Sequence, residues 1–90
     1  MKKDRTFSGS ISRKNSVDFA RGTIQVKSDS EECVVTSDHE LANKVNYTLN
    51  VRTLKSLKVW DFTILEEIGR NGNHCYRYSA RIKSNTSLNR

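Results

Sequence analysis

The chain has 90 residues and 34% of them are hydrophobic, which supports at most one domain with a small core. Sixteen Lys and Arg oppose ten Asp and Glu, so the formal net charge is +6, as is common among proteins that meet nucleic acid. Two cysteines exclude a disulfide scaffold, and no apolar run is long enough for a signal-peptide core or a membrane span. We therefore expect a cytoplasmic protein with reduced thiols and no membrane contact.

The charges form three blocks along the chain. Residues 1–22 carry six cations and two anions, the segment 28–40 carries five anions and no cation, and residues 41–90 carry nine cations and three anions. A partner with phosphates is therefore expected to meet the two basic ends of the chain rather than its acidic middle.

The first half of the chain contains a weak strand pattern and a helix signal. Residues 1–16 are rich in Ser and charge without an apolar period, which predicts a flexible basic tail. The stretches GTIQVK and ECVVT flank the acidic turn SDSE and predict a first hairpin. The stretch SDHE at Ser37–Glu40 has the form of a capping box, in which the Ser and Glu side chains satisfy free amides at a helix start. It predicts one short helix near residues 38–45.

From Val45 onward, apolar residues recur at every second position, which is typical of half-buried strands. The three stretches with this pattern are VNYTLNVRT, VWDFTILEEIG and HCYRYSARIK. The chain contains no proline, so these strands can pair on both edges.

The turn after Arg70 determines which residues of the last two strands face each other. A two-residue Asn71-Gly72 turn would mix core and solvent residues on one face, whereas a three-residue loop, Asn71–Asn73, separates them. We therefore predict the longer loop, with a residue such as Gly72 or Asn73 in the left-handed region. The predicted cross-strand pairs are Ile64 with Ala80, Phe62 with Ile82, Glu67 with Arg77, Asp61 with Lys83, and Thr63 with Arg81. In this register Arg81 has no carboxylate opposite it and is predicted to be free of an ion pair.

Together these elements predict an α+β fold that is predominantly antiparallel β, with about five strands in a meander and one short helix near residues 38–45. The predicted organisation is a flexible basic N-terminal tail at 1–16, a single small β-rich domain at 17–83 and a flexible C-terminal tail at 84–90. A small core also leaves a homodimer open.

Catalysis is not predicted, and neither is a metal or a cofactor. The best acid-base pair is His74 with Glu66 or Glu67, but a His beside a tight turn is usually solvated. The spacing of the two Cys and two His, at positions 33, 39, 74 and 75, matches no zinc pattern.

The expected function is non-catalytic binding of an RNA or DNA backbone, with RNA slightly favoured, by a small regulatory protein that uses its basic tail and an exposed β face. Arg77, Arg81 and Lys83 share one face of the last strand at intervals of about 7 to 13 Å, a scale compatible with successive phosphates. The candidate residues are Lys2, Lys3, Arg5, Arg13, Lys14, Arg52, Lys55, Lys58, Arg77, Arg81 and Lys83. The alternative is a protein-interaction module, a small regulator or inhibitor that binds a partner protein by strand addition or through the acidic segment 28–40.

Overall fold

A computed structural model of the chain describes residues 5–13, 16–27, 30–72 and 75–89, with side chains up to residue 83. These residues form six strands: β1 Arg5–Arg13, β2 Asp18–Val26, β3 Glu32–Ser37, β4 Asn46–Arg52, β5 Ser56–Arg70 and β6 Tyr76–Asn89. All neighbours pair antiparallel, and the order β1-β2-β3-β6-β5-β4 closes into a barrel where β4 pairs with β1. The predicted α+β meander of about five strands is therefore wrong, because the described chain is all-β. Its described ranges contain no helix of the length and hydropathy needed to cross a membrane.

The extra strand, β1, lies inside the segment that the sequence assigns to a tail. It pairs with β2 along most of its length, and its second half, Ser10–Arg13, also pairs with β4. This pairing satisfies backbone polar groups of the strand on one edge along most of its length and on both edges from Ser10 to Arg13. Of its apolar side chains, that of Ile11 is fully buried. The flexibility of segments 1–16 and 84–90 stays a prediction.

Residues 38–45 connect β3 to β4 without the helix that the capping box predicts. The Ser37 hydroxyl accepts a hydrogen bond from the backbone N–H of His39 at 3.1 Å, which closes a local turn instead. The backbone N–H of buried Leu41 donates to the Tyr78 hydroxyl at 2.7 Å. A helix here would be shorter than the about 12 residues that an isolated helix needs, so long-range hydrogen bonds decide the conformation.

The core confirms the strand pattern predicted after residue 45 and the hairpin predicted before it. In the first hairpin, Ile24 of β2 lies opposite Val35 of β3. The buried apolar residues are Ile11, Ala20, Ile24, Cys33, Val35, Leu41, Tyr47, Leu49, Trp60, Phe62, Ile64, Tyr78 and Ala80. The cations of β6 at Arg77, Arg81 and Lys83 are exposed, as the alternation requires.

The β5–β6 hairpin keeps the predicted register in its centre and departs from it on both sides. The confirmed pairs are Ile64 with Ala80, Phe62 with Ile82, and Thr63 with Arg81. Gly72 has a φ of 63°, in the left-handed region. Two predicted pairs are wrong. Glu67 lies opposite Tyr78 rather than Arg77, and Asp61 lies opposite Ser84 rather than Lys83. Register shifts along β5 cause both differences, and irregularities of this kind bend long strands.

The hydrogen bond between Tyr78 and Leu41 gives a first prediction. We expect Tyr78→Phe to lower the free energy of unfolding by about 1 to 2 kcal/mol, because the buried N–H of Leu41 loses its acceptor. Urea denaturation measures this loss as a lower midpoint at an unchanged slope. Tyr76→Phe is the control, since Tyr76 is only half-buried. Equal destabilisation by the two variants would contradict the assignment.

The two thiols differ in environment, which gives a second prediction. Burial raises the pKa of Cys33 to about 12, whereas Cys75 is half-buried immediately before β6. Because the thiolate is the reactive form, the native protein is expected to take one iodoacetamide group at about pH 8, at Cys75. Mass spectrometry should find the second group only after unfolding, and none on native Cys75→Ser. Rapid labelling of Cys33 in the native protein would show that this part of the core is open.

Candidate nucleic-acid interface

One end of the barrel opens into a cleft, which we call the cationic mouth. It forms where β1 and β5 begin and β2 ends, beside the middle of β6. Its volume is about 400 Å³. The lining residues are Arg5, Phe7, Val26, Lys27, Ser30, Glu31, Lys58, Trp60, Ile82 and Lys83.

Two of these cations occupy strand positions that would elsewhere carry core residues. Arg5 lies two residues before Phe7 on β1, and Lys58 lies two residues before Trp60 on β5. Residues two apart on a strand share a face, so both cations lie on the interior side where the barrel ends. Their charged groups lie over the Phe7 ring, the Arg5 guanidinium carbon at 5.4 Å and the Lys58 Nζ at 4.9 Å from its centroid.

An aromatic pair forms the floor beneath these cations. The ring centroids of Phe7 and Trp60 are 5.1 Å apart with an interplanar angle of 34°. Trp60 is only 7% exposed, and its indole N–H has no hydrogen-bond partner among the described residues.

The charge around the mouth is predominantly positive. Lys27 and Lys83 join Arg5 and Lys58, and the described lining contains one carboxylate, that of Glu31. Glu31 Oε1 lies 3.2 Å from Arg81 Nη1, so part of its charge is already compensated. This exposed ion pair corrects the prediction that Arg81 is unpaired, although such pairs contribute at most about 1 kcal/mol.

The structure distributes the predicted binding residues unevenly. Three of them meet in the cationic mouth: Arg5, Lys58 and Lys83. The others that are described lie outside its lining: Arg13, Arg52, Lys55, Arg77 and Arg81. Three lie outside the described residues: Lys2, Lys3 and Lys14.

Sequence reasoning missed Lys27 and the position of Phe7. Lys27 stands alone between the β2 pattern and an acidic turn, so no charge run marks it. Phe7 lies in a segment without an apolar period. The available signal was a cation two residues before an aromatic at a strand start, which occurs at both Arg5 and Lys58.

A third cation–aromatic pair lies at the opposite end of β5. The Arg70 guanidinium carbon is 5.0 Å from the centroid of the Tyr76 ring. However, Arg70 also contacts two carboxylates, Glu67 at 2.8 Å and Glu40 at 3.1 Å. This end is therefore locally neutralised, and it is a weaker site for an anion than the cationic mouth.

The acidic segment 28–40 contacts other groups of the same chain. Among its described residues, three carboxylates do so: Glu31 with Arg81, Glu40 with Arg70, and Asp38 with the backbone N–H of Arg21 and the ring of His39. The hydrogen bond from Arg21, followed by that from His39, lowers the pKa of Asp38. These contacts leave fewer of its charges unpaired for a partner protein.

Catalytic and metal-binding constellations are limited in the described residues. They contain no group of three or more His, Cys, Asp or Glu side chains arranged to hold a metal ion. His74, the His of the best acid-base pair, lies outside the described ranges.

Comparisons of the chain with protein-family models, curated proteins and solved structures find no significant match.

Proposed function

We propose that this protein binds nucleic acid without catalysis, with RNA slightly favoured, and that the polynucleotide backbone lies in the cationic mouth. One observation carries the proposal. Barrel closure gathers four cations from separate parts of the chain into one cleft, Arg5, Lys27, Lys58 and Lys83. The first and third of these lie over the half-buried Phe7 ring. Clustered cations beside an aromatic ring suit phosphates and unpaired bases together.

The residue types in the mouth support binding rather than chemistry. Its described lining includes no His or Cys, and its carboxylate, Glu31, already contacts Arg81. General acid-base catalysis most often uses a His, and the described lining offers Lys, Arg and the ion-paired Glu31 instead. The preference for RNA rests on the aromatic floor, because unpaired bases stacked on aromatic side chains are typical of RNA recognition.

A protein partner has less structural support. The pairing of β4 with β1 closes the sheet, which removes most of the free edge that strand addition needs. Three carboxylates in the described part of segment 28–40 already contact arginine residues of the same chain. We therefore treat a protein partner as an outcome of the test.

The test combines co-purification with a salt titration. If the cations of the mouth neutralise about three or four phosphates of a single strand, its affinity falls with salt at a logarithmic slope of about −2 to −3. This slope corresponds to a loss of about twentyfold to fiftyfold between about 50 and 200 mM. Fluorescence anisotropy of a short labelled RNA measures this slope. RNA that co-purifies at low salt and is removed by ribonuclease would support the proposal.

Two results would contradict it. One is the absence of RNA binding at low salt. The other is a co-purifying protein that survives nuclease treatment while no RNA is retained, which would favour the protein-interaction alternative.

A further inference from the structure

We infer that the cationic mouth accepts one unstacked nucleotide of a single strand, with the base against Phe7 and Arg5 and the phosphate among Lys27, Lys58 and Lys83. This inference rests on the proposed function. It specifies the substrate class as single-stranded rather than double-stranded nucleic acid.

The shape of the cleft suits one small ligand unit. Its volume of about 400 Å³ is within the usual range for small-molecule pockets, about 300 to 1,000 Å³. A duplex keeps its bases stacked inside, so it can offer this cleft only phosphates unless a base is extruded. A single strand presents its bases without that penalty.

The cleft combines an apolar floor with a cationic rim. Val26, Trp60 and Ile82 supply apolar surface beneath the charged groups of Arg5 and Lys58. Inorganic phosphate would leave this floor unused, and an uncharged aromatic ligand would leave the cations unused. A nucleotide has a flat base and an anionic group, so it complements both.

The cations over Phe7 do not prevent a base from binding. A cation over a ring near the surface is held weakly, and the Lys58 side chain is long enough to turn toward a phosphate. The guanidinium plane of Arg5 can also stack directly on a base.

A natural fluorophore of the chain lies at this cleft and can test the inference. Trp60 is the single tryptophan of the sequence, so intrinsic tryptophan fluorescence reports on this cleft alone. At low salt we expect saturable quenching by adenosine monophosphate, and markedly weaker effects from adenosine and from inorganic phosphate. A blunt duplex is expected to bind at least about tenfold more weakly than either of its separate strands.

Two substitutions separate base stacking from general charge. Phe7→Leu removes the ring but keeps an apolar side chain, and should weaken binding of both the mononucleotide and the single strand about tenfold at an unchanged salt slope. Phe19→Leu is the matched control, because Phe19 is 38% exposed and its ring contacts His39 and Tyr47 instead. It should leave both affinities unchanged.

Other results would contradict either the inference alone or the proposed function as well. Equal binding of duplex and single strand, or equal responses to phosphate and to the mononucleotide, would overturn the inference while salt-dependent RNA binding still supports the proposed function. Failure of both the mononucleotide and RNA to bind at low salt would overturn both.

Discussion

Replacing Lys58 with Glu is expected to weaken the binding of single-stranded RNA by at least about tenfold, or about 1.4 kcal/mol. The Lys58 Nζ lies over the Phe7 ring in the mouth, so the variant loses a cation and places a carboxylate beside the phosphate path. Neutral Lys58→Gln should lower the magnitude of the logarithmic salt slope by about 0.7, the value for one phosphate contact on a single strand.

Lys55→Glu is the matched control for this result. Lys55 is exposed in the turn between β4 and β5, outside the lining of the mouth, and the substitution changes the net charge by the same amount. Anisotropy titrations at matched salt should therefore show a much smaller loss. Equal losses in the two variants would mean that overall charge, rather than the mouth, attracts the RNA.

The second large effect concerns the close approach of β2 and β3. Gly22→Ala is expected to lower the free energy of unfolding by about 3 kcal/mol, the upper part of the usual range for overpacking. A Cβ atom at Gly22 would clash with the backbone carbonyl oxygen of Thr36 and press on Ile11 in the core. For a domain of this size, the melting temperature should fall by about 12 to 24 °C.

A second glycine provides the control for that prediction. A Cβ atom at Gly69 would meet nothing within 4 Å, so Gly69→Ala should be neutral or slightly stabilising. Thermal unfolding followed by circular dichroism measures both variants. A native-like melting temperature for Gly22→Ala would contradict the close approach of β2 and β3 at Thr36.

Local pattern predicted the strands whose core residues alternate without interruption. Tyr47 and Leu49, and likewise Phe62 and Ile64, belong to such runs and are buried. The failure at β1 has the opposite cause. Its Ser-rich sequence shows no apolar period, and its position depends on pairing with β2 and β4, which no local pattern encodes.

The predicted helix near residues 38–45 failed because a local signal competed with distant partners. A capping box stabilises a helix only if the helix forms, whereas the Tyr78 hydroxyl reaches the amide of Leu41 from β6. Arg81 is a similar case. Its partner Glu31 precedes β3, far away in sequence, so the pair could not be expected from the alternation within β6.

Several cations of the proposed binding site could be predicted from the sequence, but the position in the fold where they meet could not. Arg5, Lys58 and Lys83 were each expected to contact phosphates, yet only barrel closure brings them together. Arg77 was expected on the same grounds, and the structure leaves it outside the lining of the mouth. Charge alone does not distinguish these cases, because the distinction depends on which strand ends meet.

Backbone amide chemical shifts, recorded by NMR while a short single-stranded RNA is added at low salt, test the central claim most directly. We expect the largest changes at Phe7, Lys27, Lys58 and Lys83, with little change at Arg70, which lies at the other end of β5. Changes centred on Arg70 and absent from the mouth would contradict the proposed interface.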